Sequence, residues 1–273
     1  MNYFFVHLGD HPYWLQDSIN SVKKSDESAT IYFCGDSEQK IDGVYNLNLK
    51  DIASSMTLQA MDSTLWQNDP NPLWRTSIYR IFILKDMMSR TELEDFVHFD
   101  SDVLLFESFE TVKKSINQDL KALHITRCND TEVVFGYSYC NSYNALYNIC
   151  HMVKEAMYDY KLLTSLITSH PNEMQILNGI QKKSYNLITN LPTLPNENFE
   201  YIFDPSSYGQ YLFGTHNGHP AGWHGDHHYI GKLIGESKLF VSIDKKPVAI
   251  MNEFNSKIVN LHIHSKKTRD INV

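Results

Sequence analysis

Cysteine is scarce and unpatterned in this chain. Its 273 residues hold four cysteines, Cys34, Cys128, Cys140 and Cys150, and no C-x-x-C pair. That excludes a zinc ribbon or a disulfide-dense secreted scaffold, and it predicts reduced core cysteines and a cytoplasmic location. No apolar run approaches the roughly 18 residues that a membrane-crossing helix needs, so no membrane span is expected. The opening Met1-Asn2-Tyr3-Phe4-Phe5-Val6 lacks a basic n-region and a small-residue cleavage site, so no secretory leader is expected. Basic residues are in deficit, 24 Lys and Arg against 32 Asp and Glu, for a formal net charge of −8. A protein that coats nucleic acid needs a basic face, so nucleic acid is excluded as a partner. A single nucleotide is not, because a metal ion can neutralise its diphosphate. No internal repeat or low-complexity segment is found. With 42% hydrophobic and 12% aromatic residues, the chain can bury the core of one large α/β domain or two small ones.

What is present is concentrated in Phe96-Val97-His98-Phe99-Asp100-Ser101-Asp102-Val103-Leu104-Leu105-Phe106. Apolar runs rich in Val, Leu and Phe read as buried strands. Two carboxylates cannot stay ionised inside such a core without a cation. The simplest reading is a strand that leaves the core, exposes Asp100 and Asp102 at its C-terminal end, and re-enters. Oxygen ligands there suit a hard divalent ion, Mg²⁺ or Mn²⁺, which can also hold a diphosphate.

Around that motif the pattern alternates strand and helix. Tyr3 to Leu8 reads as a strand, Tyr13 to Lys23 as a helix burying Leu15, Ile19 and Val22, and Thr30 to Cys34 as a second strand. This is a βαβ unit, which implies a parallel sheet with ligands at the C-terminal strand ends, where Gly9-Asp10 and Gly35-Asp36 fall. Asp69-Pro70-Asn71-Pro72 breaks the chain before a helix from about Leu73 to Met88, punctuated by Arg75 and Arg80. A helix near Glu110 to Asn117 and strands near Ala122 to Ile125 and Val133 to Phe135 follow. Asn141 or Ser142 caps a long helix with Tyr143, Leu146, Cys150, Val153, Met157 and Tyr160 along its buried stripe. Asn172 with Gln175 forms a capping box for a helix through Ile180. Residues 204 to 231 hold six of the twelve glycines; with Tyr208, Tyr211, Phe213 and Trp223 they read as a long functional loop. Lys257 to Lys267 reads as a strand with His262 and His264 on one face.

These segments together resemble the GT-A nucleotide-sugar glycosyltransferases. The resemblance is carried by Val97 to Phe106, by Trp74-Arg75-Thr76-Ser77-Ile78-Tyr79-Arg80-Ile81-Phe82, by Phe203-Asp204-Pro205-Ser206-Ser207-Tyr208-Gly209-Gln210-Tyr211-Leu212, and by Asn260-Leu261-His262-Ile263-His264-Ser265-Lys266. It implies a single domain with a GT-A-like (Rossmann-like), mostly parallel twisted sheet flanked by helices and an appended C-terminal strand. It implies a nucleotide-sugar-binding half over 1–125 and an acceptor-binding half over 126–273. Asp102 is then a ligand of Mn²⁺ or Mg²⁺, and Asp100 lies between ribose and the metal shell. His262 or His264 adds a late metal ligand, and Lys266 reaches the phosphates. His7, at the end of the first strand, joins the nucleotide-sugar contacts. Arg75 and Arg80 are either diphosphate or nucleotide contacts or helix-surface ion-pair partners. The metal would neutralise the leaving diphosphate as a Lewis acid, and a lysine charge would add to that.

The expected reaction is transfer of a sugar from a nucleotide-sugar donor, a UDP-sugar by resemblance, to a hydroxyl of a glycan or other acceptor. An inverting enzyme needs a carboxylate base, for which Asp204 and Glu173 are the candidates. Asp204 also reads as a turn residue before Pro205, and Glu173 reads more readily as a partner of the helix dipole. His224-Gly225-Asp226-His227-His228 reads as an acceptor-side loop in preference to a second metal site. Two rivals stand: a metal-dependent nucleotidyltransferase, and a non-catalytic carbohydrate-binding protein that uses its Tyr and Trp residues.

Overall fold

The computed structural model describes residues 1–63 and 72–271; Asp69, Pro70 and Asn71 of the expected breaker lie outside them. The first βαβ unit forms as the apolar pattern dictates. Strand β1 (Asn2–Val6) alternates its aromatics across the sheet, Tyr3 and Phe5 on one face and Phe4 on the other. Helix α1 (Tyr13–Ser25) returns the chain to β2 (Thr30–Gly35), which pairs parallel with β1. After β3 (Tyr45–Asn48) come the short helices α2 (Leu49–Ile52) and α3 (Ser55–Met61) and the long α4 (Pro72–Thr91). Strand β4 (Phe96–Phe99) then runs fully buried beside β1 and in parallel with it.

Strands β6 (Leu123–Arg127), β7 (Val133–Cys140) and β8 (Ile188–Asn190) complete a seven-stranded sheet in the order β3-β2-β1-β4-β7-β6-β8. Only β7 runs against the other six. Helices α6 (Tyr143–Tyr158), α7 (Tyr160–Leu166) and α8 (Glu173–Lys183) cover one face together with α4, burying Phe82, Phe96, Leu146, Ile149 and Ile176. Helix α1 and the short α5 (Phe109–Val112) cover the other, over Phe5, Phe33, Phe99 and Tyr137. This is the helix-covered, mostly parallel architecture that the resemblance implied. The boundary at 125/126 falls inside β6, so both halves build one sheet.

Beyond residue 200 the chain departs from the expectation. One appended strand was expected. Instead β10 (Leu239–Ile243), β11 (Pro247–Met251) and β12 (Phe254–Ile258) form an antiparallel meander, joined by the short β9 (Tyr201–Ile202). Its own apolar cluster includes Ile202, Tyr208, Leu239, Ala249 and Leu261. The expected strand from Lys257 to Lys267 is broken: β13 (Asn260–His262) leaves the meander and pairs antiparallel with β5 (Val103–Leu105). The glycine-rich stretch is not one loop, since it contains α9 (Tyr208–Phe213) and the start of α10 (Tyr229–Gly235).

Smaller departures have local causes. Asp159 ends α6 and caps α7 by accepting from the N–H groups of Lys161 and Leu162, which leaves Tyr160 on the surface at 78% exposure. The expected capping box is half formed. Asn172 accepts from Gln175 N at 2.9 Å, but the Gln175 carbonyl accepts from Thr168 and Ser169 instead of returning the bond. Helix α1 buries Leu15, Ile19 and Val22 as expected, and also a serine stripe that the apolar pattern hides. Ser21 accepts from Leu105 N at 3.0 Å and Ser25 donates to Leu105 O at 2.8 Å, so α1 satisfies the edge of β5 that β13 leaves open.

Candidate active site

The two aspartates follow β4 directly. Asp100 stays on the sheet through its N–H to Gly136 O at 2.9 Å, and Val103 N closes a tight turn on Asp100 O at 3.1 Å. The β5–β13 register sets His262 opposite Val103, beside Asp102. His262 Nε2 therefore lies 3.1 Å from Asp102 Oδ1 and 3.8 Å from Asp100 Oδ2. Ligand atoms of all three residues fall within 4.8 Å of one another, the one such group among the described residues. Donors about 2.1 Å from an octahedral ion sit roughly 3 Å apart when adjacent and roughly 4.2 Å apart when opposite. Two carboxylates and one imidazole at this spacing fit a hard divalent ion.

Asp102 is not exposed as the sequence suggested. It is 4% accessible, roofed by His262 and by Lys266, whose ammonium rests on Oδ2. Burial alone would raise its pKa, but the His262 and Lys266 charges override that and hold the carboxyl below its ordinary range. Asp100 pairs with Arg80, which stands 3.7 Å from Glu173 and over the Phe135 ring at 5.4 Å. Burial lowers the Arg80 pKa and Glu173 pushes it back; burial raises the Glu173 pKa and Arg80 opposes that. Arg80 is thus a buried partner of two carboxylates, not a helix-surface residue, and Glu173 sits behind it.

His264 follows the end of β13. Its ring lies 4.4 Å from that of His262, but its Nε2 meets Ser206 Oγ and it stands outside the three-residue group. Burial pushes the His264 pKa down to about 2. Asp204, one of the two candidates for a catalytic base, has other partners in the fold. It is 1% exposed, and its oxygens accept from four backbone N–H groups: Ser207 at 2.7 Å, Tyr208 at 2.8 Å, and Gly209 and His262 at 3.0 Å. Burial raises its pKa, and these donors counter part of that rise. Asp204 clamps the start of α9 to β13.

The edge beyond β1 and β2 is open. Gly9 N donates to Asp36 Oδ1 at 2.8 Å, tying the loops after β1 and β2 together. A cavity of about 680 Å³ lies there, lined by Gly9, Asp36, Arg75, Thr76 and Tyr79. The structure thus separates the two arginines, Arg75 on the cavity wall and Arg80 beneath the carboxylates. His7 borders this region with Nε2 3.0 Å from Asp10 O, and burial lowers its pKa. In the 224–228 segment, His224 Nδ1 lies 3.4 Å from Asp226, while His228 Nδ1 bonds Ser207 Oγ at 2.9 Å.

No protein-family model matches the sequence, and no curated protein matches it. Solved structures do. The galactosyltransferase LgtC, in complex with donor and acceptor sugar analogs, superposes with a TM-score of 0.50 at 14% identity, covering 86% of this chain and 94% of that one. The fold is of the GT-A type. Mouse xyloside xylosyltransferase 1 gives a TM-score of 0.48 at 9% identity over 70% of this chain and 86% of that one. The glycosyltransferase GlyE of Streptococcus pneumoniae TIGR4 gives 0.46 at 11% identity, and this chain spans 44% of its length.

On this GT-A sheet, residues with no local signature shape the site. A Cβ at Gly136 would meet His262 Nδ1 at 3.0 Å, so the glycine leaves room for the imidazole. A Cβ at Gly209 would fall 2.1 Å from His262 O, so only glycine lets α9 approach β13. Ser206, at φ +73°, places its hydroxyl between the two histidines. The one legible signal was the glycine content of the 204–231 stretch.

Proposed function

We propose that this chain is a metal-dependent glycosyltransferase that moves a sugar from a nucleotide-sugar donor to a hydroxyl of a glycan or other acceptor. The observation that carries the reading is the convergence of Asp100, Asp102 and His262 at the C-terminal end of β4, on a GT-A-type sheet, beside an open cavity. Ligands of open α/β sheets bind at that edge. Asp100, Asp102 and His262 would hold Mn²⁺ or Mg²⁺. When bound, the ion supplies Lewis-acid stabilisation of a leaving diphosphate.

The chain's own residues have separable roles in this reading. Lys266 supplies a movable cation for a phosphate. Arg80 holds Asp100 in place, and Glu173 holds Arg80. The cavity beside Arg75 and His7 takes the nucleoside, and a UDP-sugar is the donor the resemblance favours. Among the described residues no helix is long and apolar enough to cross a membrane. Four free, buried cysteines support a reducing compartment, in keeping with a cytoplasmic location.

Thermal stabilisation by a panel of nucleotide sugars, with and without Mn²⁺, tests the proposal. The expected result is a rise in melting temperature with one nucleotide sugar that needs the metal and is lost in Asp102→Asn. Stabilisation by nucleoside triphosphates alone would favour a nucleotidyltransferase. Stabilisation by free glycans without nucleotide or metal would favour a carbohydrate-binding protein.

A further inference from the structure

We propose that Ser206 is a positioning residue of this site: its hydroxyl fixes the His262 ring with Nε2 toward Asp100 and Asp102 and passes the hydrogen-bond chain on to His264. The inference rests on the metal-site reading above but concerns a residue that takes no part in ligation.

Four observations converge. Ser206 is 6% exposed, and its Oγ lies 3.2 Å from His262 Nδ1 and within hydrogen-bond reach of His264 Nε2. Its backbone stands at φ +73°, a left-handed conformation that a serine adopts only when its surroundings impose it. The imposing group is Asp204, two residues earlier, which takes the N–H groups of Ser207, Tyr208, Gly209 and His262 and so pins this turn against β13. Gly136 approaches the same edge of the ring, and a Cβ there would stand only 3.0 Å from Nδ1. The Nδ1 edge of the imidazole thus meets a serine hydroxyl where only a glycine leaves it room.

The proton bookkeeping closes. If Nε2 is to present a lone pair between the two carboxylates, Nδ1 must carry the hydrogen and donate it to Ser206 Oγ. The serine O–H is then free to donate to His264 Nε2, which accepts as a neutral ring. Gln210 Nε2, 3.4 Å from the same nitrogen, flanks this acceptor. A hydroxyl can both accept and donate, which no apolar side chain at this position could do. Partners of this kind hold a ligating imidazole in tautomer and orientation.

The test compares the 273-residue chain with its Ser206→Gly and Ser206→Asn variants. Glycine suits φ +73°, so Ser206→Gly removes the hydroxyl without straining the turn, and its melting temperature should hold near the wild-type value. Mn²⁺ affinity, measured without nucleotide by loss of the free-ion EPR signal, should weaken about 10- to 100-fold. Asparagine tolerates positive φ and offers both a donor and an acceptor, so it should recover part of that loss. In the metal-free protein Nε2 faces Asp102 and carries a hydrogen of its own, and ¹⁵N spectra of the imidazoles should show His262 and His264 each in one fixed hydrogen-bonded state in the wild type and averaged in Ser206→Gly. Unchanged spectra in Ser206→Gly overturn the proposal, as does a folded Ser206→Gly that binds Mn²⁺ like the wild type. A wild type that takes up no Mn²⁺ but loses its fixed ring states on Ser206→Gly would sink the metal reading alone and leave the role of Ser206 standing.

Discussion

The Lys266 ammonium rests on Asp102 Oδ2, the oxygen opposite the one that faces His262. Lys266 adopts φ +60°, its carbonyl accepts from the Tyr13 hydroxyl, and its ammonium lies 5.7 Å from the Trp14 ring. The chain thus carries its own cation against the carboxylate that the proposed ion would share.

The first prediction follows from that competition. Lys266→Gln should bind Mn²⁺ more tightly than the wild type in the absence of nucleotide, by roughly three- to tenfold for a partly exposed pair. The same variant should bind UDP more weakly once Mn²⁺ is present, because the phosphate loses its point charge. Calorimetric titration of metal and then of UDP separates the two effects. Parallel loss of both affinities would show that Lys266 does not compete at Asp102.

How much of this was legible depends on the range of the contact. Asp100 and Asp102 are readable because apolar strands flank them within a few residues, and the βαβ opening is readable from its period. The pairings that finish the site span far more chain: 58 residues from Asp204 to His262 and 164 from Asp102 to Lys266. Local periodicity carries no information about those. Asp204 kept two readings because a carboxylate before a proline looks the same whether it faces a cleft or accepts backbone N–H groups. The meander was missed because its strands expose Phe240 and Ile250, which blurs the alternation that marks a strand.

A second prediction concerns a pair that spacing rules would not anticipate. Neighbouring residues on a helix do not normally face each other, yet Lys85 Nζ lies 2.6 Å from Asp86 Oδ1, both 3% exposed. Lys85 also donates to Ser54 Oγ at 2.7 Å, and Asp86 Oδ2 accepts from Ser54 N at 2.8 Å and from the Thr57 hydroxyl. This network fixes the start of α3 to α4. Asp86→Ala leaves a buried lysine and a bare cap, so it should destabilise the fold by about 3–5 kcal/mol in denaturant unfolding. A loss under about 1 kcal/mol would mean that water reaches Lys85.

The third prediction concerns pH. His124 on β6 is 1% exposed, its Nε2 lies 3.2 Å from Leu120 O, and burial lowers its pKa from 6.5 to about 4. The folded value lies below the unfolded one, so between them the unfolded chain binds the extra proton and stability rises with pH. The His124 contribution is complete above about pH 6.5 and is lost as pH falls toward about 4, amounting to at most about 3 kcal/mol. His124→Gln should flatten that part of the stability curve. Denaturant unfolding of both proteins across this window checks it, and equal slopes would remove His124 as the source.

The last prediction separates two roles for Asp204. As an acceptor base it would be dispensable for folding, and Asp204→Asn would lower transfer while leaving stability and metal affinity intact. The structure gives it other partners. Ser207 and Tyr208 donate to Oδ1, and Gly209 and His262 donate to Oδ2. An asparagine would set an amide NH₂ against one of those pairs, leaving two backbone donors unmet and placing like against like, at a cost of about 2–4 kcal/mol. The same change loosens the turn that carries Ser206 and the backbone of His262. We therefore predict that Asp204→Asn loses stability and Mn²⁺ affinity together, in contrast to Ser206→Gly, which loses affinity alone. Melting temperature, Mn²⁺ affinity and transfer rate measured on one preparation decide the matter. A stable Asp204→Asn that binds Mn²⁺ normally and fails only in transfer would return this carboxylate to the reacting centre.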